Sequence, residues 1–435
     1  MAFQITPDGI RASDTDIMKA AGKHPAGWGI PLMSMKIKAA VLFASFSVLL
    51  FVVVGSLGGV HAASNNDAYR QLQVYSEVLS RIRTEYVEEP NVPKVTDGGL
   101  HGLLESLDAD SAYMSADAYK KYKERKADSK ASIGAVVSKR FGYAAVVSVL
   151  PGSTAEKAGI EPTDIFESIE GVSTRDLSVP EIRAMLAGAP GSTVSVQVVR
   201  ARKAEPQKFV IARGVVNAPP VEDKMLEDGV GYIKTDTLTH GRAQEIAAKI
   251  RSLEKVGAKR LVLDLRGCAE GDESEGVATA NLFLNHGTIA SLQGQKYPKE
   301  TYNADAAKSI TQLPLAVLVN RGTSGAGELV AAAVMENARG DVVGDKTFGE
   351  GSVQKTIDLP DGGVLILSVA KYYSPSGKTL QDTGVTPNIL VADEEEVASA
   401  DEEEPVSHPD LEAKPKSNSD DQLKKAVEVL KKRAG

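Results

Sequence analysis

Beyond residue 228 short branched apolar runs alternate with segments of helical period, and this alternation is what most restricts the possible folds. GVGYIKT (229–235) precedes a predicted helix from His240 to Val256, whose apolar Ala243, Ile246, Ala247, Ile250 and Leu253 recur at three- and four-residue spacing. RLVLDLRG (260–267), a helix from Gly276 to Leu284 and a strand near Thr288 to Leu292 come next. LAVLVN (315–320), a helix after Gly325, and strands at Asp341–Gly344 and Gly363–Ala370 complete the series. A strand that is apolar along its whole length must be covered on both faces, so this half reads as a mainly parallel, helix-covered sheet, with strand order and edge pairing left open.

Upstream the period changes. In residues 67–126 it is helical: Leu72, Tyr75, Val78, Leu79 and Ile82 form one stripe, a second helix is expected from Gly98 to Leu107, and Ser115 with Asp117 can start a third. Asp108 and Asp110 between them are read as turn and cap residues rather than a metal pair. Residues 131–213 alternate short strands (IGAVV, AAVVSVL, DIFESIEG, TVSVQVVR, KFVIAR) with one helix, SVPEIRAMLAG, opened by a Ser178/Glu181 capping box. With the segment Pro151–Ile160, these features resemble a PDZ domain. Such domains bind a peptide C-terminus as an added strand whose carboxylate meets backbone amides of a glycine-containing loop. The resemblance implies that Ile133, Gly134, Ala135 and Val136 form that loop, and that Ile182, Met185 and Leu186 line the far wall of the groove. The alternative for those three is simple helix-to-sheet core.

Ala39–Val60 is an uncharged, mostly apolar run behind Lys36 and Lys38, long enough to span a bilayer, where a helix of about 20 residues suffices. It exceeds a signal-peptide core and is read as an anchor with its N-terminus in the cytoplasm, although Val60-His61-Ala62 would serve as a cleavage signal. The folded part is therefore expected outside the cytoplasmic membrane, in a periplasmic setting. Met35-Lys-Ile-Lys resembles a start, leaving residues 1–34 as either a cytoplasmic extension or a mis-assigned initiation. The net charge of −8 disfavours a nucleic-acid partner. The single cysteine, Cys268, has no disulfide partner. No metal or cofactor is expected. Residues 393–419 are acidic and contain Pro and Ser, which suggests disorder, while 420–432 can form a closing amphipathic helix.

One stretch then bears on chemistry: VLVNRGTSGAGELVAAAVMENARGDVVGDKTFGEGSVQ, Val317 to Gln354. It resembles the active-site segment of the carboxyl-terminal processing, or tail-specific, serine proteases, and with the preceding regions the likeness runs from about residue 67 to 391. That family carries a serine in G-[ST]-A-S-A-S-E and a lysine 25 residues later in F-G-K-G-x-x-Q. Here the corresponding positions are Gly325 and Glu350, while Asn320, Gly322, Thr323, Ala326, Glu328, Phe348, Gly349, Gly351 and Gln354 remain in register. The family's R-G-N-P-G-G loop reads Arg266-Gly267-Cys268-Ala269-Glu270-Gly271, and its L-D-P-H-S-x-Y reads LDADSAY.

The resemblance thus implies an α/β multidomain protein: cytoplasmic extension and anchor (1–63), helical region (64–128), PDZ domain (129–213), protease-like βαβ core (214–393), and an acidic linker with a C-terminal helix (394–435). A Ser-Lys mechanism needs a hydroxyl and a neutral amine, and neither side chain stands at its position. A degenerate, non-catalytic homologue is expected, one that captures peptide or protein C-termini or regulates an active relative. The alternative is an endopeptidase using Ser324 with a displaced Lys346 or Lys355. Against it, one residue along a helix rotates a side chain by about 100°, so Ser324 is expected to point away and cap the following helix. Lys346 and Lys355 read as solvated, and Gln354 is expected to hydrogen-bond Glu350. His24, His61, His101, His240, His286 and His408 all lie outside these motifs, so a Ser-His-Asp triad has no local support.

Overall fold

A computed structural model describes residues 63–200, 205–392 and 420–432, together with isolated positions between 43 and 47. Among the described residues no helix is long and apolar enough to cross a membrane. The expected anchor, Ala39–Val60, lies outside them except at those isolated positions. The chain divides into two units, residues 1–90 and 91–435.

In the first unit, helix α1 (Ala63–Glu85) carries the apolar stripe anticipated above, and Leu72, Tyr75 and Val78 are exposed on it. The second unit opens with α2 (Val92–Glu105), which starts six residues earlier than expected because Asn91 caps it and Pro93 fits its first turn. A short strand β1 (Ala112–Met114) and helix α3 (Ala116–Asp128) come after it.

The strands β2 (Ala135–Arg140), β3 (Tyr143–Val149), β4 (Ile165–Ile169), β5 (Val172–Ser173), β6 (Thr193–Val199) and β7 (Gln207–Ala212) form one antiparallel sheet. Its path runs β2-β3-β4-β6-β7, with β5 on β4, so β2 is an edge. A helical turn α4 (Thr154–Lys157) and helix α5 (Val179–Leu186) accompany it, and the capping box of Ser178 and Glu181 is present.

The remaining strands fall into two large sheets and a two-stranded one, β10 (Thr237–Leu238) with β12 (Glu270–Gly271), where one sheet was expected. Strands β8 (Glu222–Met225), β9 (Val230–Lys234), β11 (Arg260–Asp264), β15 (Leu315–Val319), β16 (Asp341–Gly344) and β19 (Ile389–Leu390) run in the order β19-β16-β15-β11-β9-β8. All pairs are parallel except β8 with β9. Helices α6 (Arg242–Lys255), α7 (Glu273–Asn281) and α8 (Ala326–Glu336) cover one face, with the predicted stripe of α6 wholly buried. Helix α9 (Asp421–Lys432) covers the other through Ala426 and Leu430, against Val230, Tyr232, Val262, Ala316, Leu318 and Val343.

The second core sheet is antiparallel: β1, β13 (Thr288–Gln293), β14 (Glu300–Asn303), β17 (Ser352–Asp358) and β18 (Val364–Tyr373). β17 and β18 are joined through the Pro360-Asp361-Gly362 turn, a tight connection that only antiparallel strands permit. Strand β1 crosses from the helical segment to pair with β18, which the residue pattern around LDADSAY did not reveal. Asp108 makes this crossing rigid. It accepts from the amides of Asp110 (3.0 Å) and Ser111 (2.7 Å) and from the hydroxyl of Ser368 on β18 (3.1 Å).

Candidate functional site

Strand β15 is buried at every residue and leads into Asn320, from which the chain folds back as a closely bonded loop. The Asn320 side chain accepts from the amides of Gly267 and Gly322, both at 3.0 Å, and Thr323 donates its hydroxyl to the Leu265 carbonyl at 2.8 Å. The Ser324 amide donates to the Cys268 carbonyl at 3.0 Å. These bonds seat the loop after β15 on the loop after β11 and aim helix α8 out of their junction.

Gly325 occupies the turn between strand and helix with φ 54° and ψ −112°. This is a sharp strand-to-helix elbow, of the kind that presents a nucleophile in α/β-hydrolases. The conformation costs a residue with a side chain about 1–3 kcal/mol. A Cβ built at Gly325 has nothing within 4 Å, so the strained turn and the room for a side chain are both present while the side chain is not.

Glu328, one turn into α8 and completely buried, joins this elbow to the second half of the site. Its carboxylate accepts from the amides of Gly325 (3.0 Å), Gly349 (2.9 Å) and Glu350 (2.8 Å) and from the Thr347 hydroxyl. Burial pushes the carboxyl up to about 7, against the pull of those four hydrogen bonds. Glu328 therefore fixes where Glu350 stands relative to Gly325.

Ser324 departs from its expected role as a result. Its hydroxyl does not cap α8 but donates to Glu350 Oε2 at 2.7 Å, and Ser324 is only 2% exposed. The helical-rotation argument fails because Ser324 precedes the helix, in a loop bent by the elbow at Gly325. Glu350 Oε1 also lies 3.6 Å from Arg183 Nη2 on α5. Asp110 stands close by, accepting from the Ser352 hydroxyl at 3.0 Å. Its carboxyl is pushed up to about 6, first by burial and then by the charge of Glu350.

Gln354 does not reach Glu350. A bulge between Val353 and Gln354 shifts the strand register, and the exposed Gln354 amide donates to Ser352 Oγ at 2.7 Å. Lys346 and Lys355 are both exposed, and among the described residues the hydrogen-bond partner of the Ser324 hydroxyl is Glu350, not an amine. Three amides of these loops are engaged internally: Gly267 with Asn320, Cys268 with Leu265 (3.1 Å) and Gly325 with Glu328. Glu270 lies in the two-residue strand β12 (Glu270–Gly271), which pairs with β10 (Thr237–Leu238). Cys268 is buried, and burial pushes its thiol well above the usual range.

The peptide-binding expectation divides. Ile133, Ile182, Met185 and Leu186 belong to the apolar core of the small antiparallel domain, where the three α5 residues pack on the sheet. A helix of eight residues with five of them buried has little left to present outward. Gly134 takes φ 78°, and a Cβ there would stand 2.4 Å from that of Ser153, which requires glycine. Ala135 and Val136 are half-buried on the edge strand. The residue missed from sequence is Arg183, which donates from Nε (3.3 Å) and Nη2 (3.2 Å) to the Val137 carbonyl of that edge. A charged residue directly after Ile182, on the flank of the helix's apolar face, was the available signal.

Between the β2–β3 hairpin and the core lies a cavity of about 320 Å³, lined among others by Asp110, Arg140, Phe141, Phe348, Glu350 and Asp382. The Arg140 guanidinium sits 4.8 Å from the Phe348 ring centre. The two halves of the site thus come from different sheets, and their meeting place opens to solvent beside Glu350.

A parallel sheet with an elbow at the end of one strand, joined to a small antiparallel domain, is the architecture of a PDZ-bearing protease scaffold. Residues 229–391 match Peptidase family S41, and residues 146–200 match the PDZ domain. The chain is 32% identical over 347 residues to the carboxy-terminal processing protease CtpA of Bacillus subtilis, covering 79% of this chain and 74% of that protein. It is 28% identical over 360 residues to a carboxy-terminal-processing protease of Bartonella bacilliformis, covering 82% and 83%. Among solved structures, the photosystem II D1 C-terminal processing protease superposes with a TM-score of 0.61 at 24% identity, over 74% of this chain and 92% of that one. The chain belongs to the carboxy-terminal processing serine protease family, S41, and carries a PDZ domain.

Proposed function

We propose that this chain is a non-catalytic member of its family, which captures peptide or protein C-termini through the PDZ domain or regulates an active relative. The observation that carries this reading is the 2.7 Å bond from the Ser324 hydroxyl to Glu350, beside an elbow at Gly325 that has no side chain. A carboxylate stands where the family has its amine, the Ser324 hydroxyl is buried against it, and the amides of Gly267, Cys268 and Gly325 already have acceptors. The edge position of β2 supports peptide capture, because no strand of its sheet pairs along its outer side, where the Arg183 guanidinium meets the Val137 carbonyl. The apolar run Ala39–Val60 behind two lysines supports an anchored protein whose folded part lies outside the cytoplasmic membrane.

The same bond favours one second reading, an endopeptidase in which the carboxylate of Glu350 takes the proton of Ser324. Incubating the full chain with an unstructured protein ending in apolar residues separates the two. No cleavage is expected; cleavage abolished by Ser324→Ala would overturn the first reading. Peptides with free and amidated C-termini test capture, and equal affinities would refute it. Protease accessibility in intact and osmotically shocked cells tests the location, and digestion only after membrane lysis would count against it.

A further inference from the structure

Helix α9 does more than cover a sheet face. The residue before it, Asp420, accepts Arg266 as a two-pronged fork, Nη1 to Oδ1 at 2.9 Å and Nη2 to Oδ2 at 2.7 Å. Planar forks of this kind fix orientation as well as distance. Gln422 adds an acceptor for Arg266 Nη1 at 3.2 Å and is itself tied to the Val391 carbonyl at 2.9 Å. The other side of the Arg266 guanidinium rests on Asp264, which is fully buried and also holds the Tyr232 hydroxyl at 2.8 Å. Arg266 is thus gripped between the end of β11 and a segment 154 residues further along the chain.

The PDZ domain rests on the loop immediately after Arg266. The Gly267 carbonyl accepts from Ser148 Oγ of β3 at 2.6 Å, while the Gly267 amide is held by Asn320. The neighbouring Val147 carbonyl lies against Gly322, where an added Cβ would come within 3.2 Å of it. An unbroken series of contacts therefore runs from α9 through Asp420, Arg266 and Gly267 to Ser148.

We infer that the C-terminal helix is a brace for the junction between the PDZ domain and the core: the Asp420–Arg266 fork positions the Gly267 loop, and Ser148 latches β3 to that loop. Arg266 is a positioning residue, acting through Gly267. The arrangement makes the seating of the PDZ domain responsive to anything that lifts or competes with α9. This goes beyond peptide capture and does not depend on it.

Hydrogen exchange on the full chain tests the brace, because the amides of Arg266, Gly267 and Cys268 are all hydrogen-bonded and report loop opening. Asp420→Ala removes the fork and the acceptor of the Leu423 amide (2.9 Å), while leaving the side chains of Leu423, Ala426 and Leu430 to dock the helix. At least about tenfold faster exchange is expected at residues 266–268, with the α9 amides from Lys424 onward still protected, since loss of one such fork matches that factor. Unchanged loop exchange would show that Asp264 alone holds Arg266 and would overturn the inference. Equal acceleration of loop and helix would also overturn it, by reducing Asp420 to a docking residue. The second arm is Ser148→Ala, which cuts the latch at its far end. It should increase the mobility of the β2–β3 hairpin, read from a spin label at Phe141→Cys, without accelerating residues 266–268. In the double variant the Asp420 substitution should add nothing to hairpin mobility, and simple additivity would refute the coupling. Asp420→Asn, which keeps one acceptor oxygen, provides the intermediate case should the alanine variant fold poorly.

Discussion

Glu328 offers the sharpest test of how the site is held together. Its carboxyl is buried and pushed up to about 7 from an ordinary value of 4.5. Between those two pH values the folded protein retains a proton that the unfolded chain has already released, so folding is favoured at the acid end. That advantage is present in full below about pH 4.5 and is lost as the pH rises through 7. A displacement of this size corresponds to about 3 kcal/mol, since each unit is worth about 1.4. Glu328→Gln keeps the shape and removes the titration. Its amide will mismatch two of the four donors now facing the carboxylate, so the variant is less stable throughout. The informative quantity is the pH dependence of the difference. Urea denaturation of both proteins at intervals between pH 4 and 8 should show the advantage of the parent over the variant shrinking by about 3 kcal/mol across that range. Asp110, whose carboxyl is displaced in the same direction, titrates in both proteins and cancels. A difference that stays constant would mean that Glu328 is ionised throughout and that its four donors outweigh its burial, which would refute the reasoning.

Ser324→Ala removes the hydroxyl that satisfies Glu350, and unfolding measurements should show a loss of about 1–2 kcal/mol with no change in peptide affinity. Gly325→Ser has room for its side chain but not the right backbone, so a loss of about 1–2 kcal/mol is expected in the same assay. Gly325→Ser with Glu350→Lys should still fail to cleave an unstructured substrate, because the amides of Gly267, Cys268 and Gly325 keep their internal acceptors; cleavage would show that substrate binding releases them. Asp108→Ala breaks the turn that carries β1 onto β18, and should cost about 2–3 kcal/mol, seen as a lower denaturation midpoint.

Much of the core was legible because local patterns respond to the same burial that tertiary structure imposes. Ile246, Ile250 and Leu253 announced one face of α6, and LAVLVN announced a strand covered on both sides. The division into two core sheets was not legible, since apolar alternation does not say which strands become neighbours. Strand β1 was hidden for a related reason: three residues carry almost no period, and their stability comes from β18, some 250 residues away.

The site divides along the same line. Sequence alone determined that Gly325 offers no hydroxyl and Glu350 no amine, because chemical identity is independent of folding. It also located Glu328 among the residues kept in register, without disclosing that this carboxylate ties the two halves together. Only tertiary structure decided that Ser324 would meet Glu350, that Gln354 would turn away, and that Arg183 would lie between the β2 edge and the site. Those outcomes depend on an elbow, a bulge and the meeting of two domains, each of which rotates a side chain by more than residue spacing can foretell.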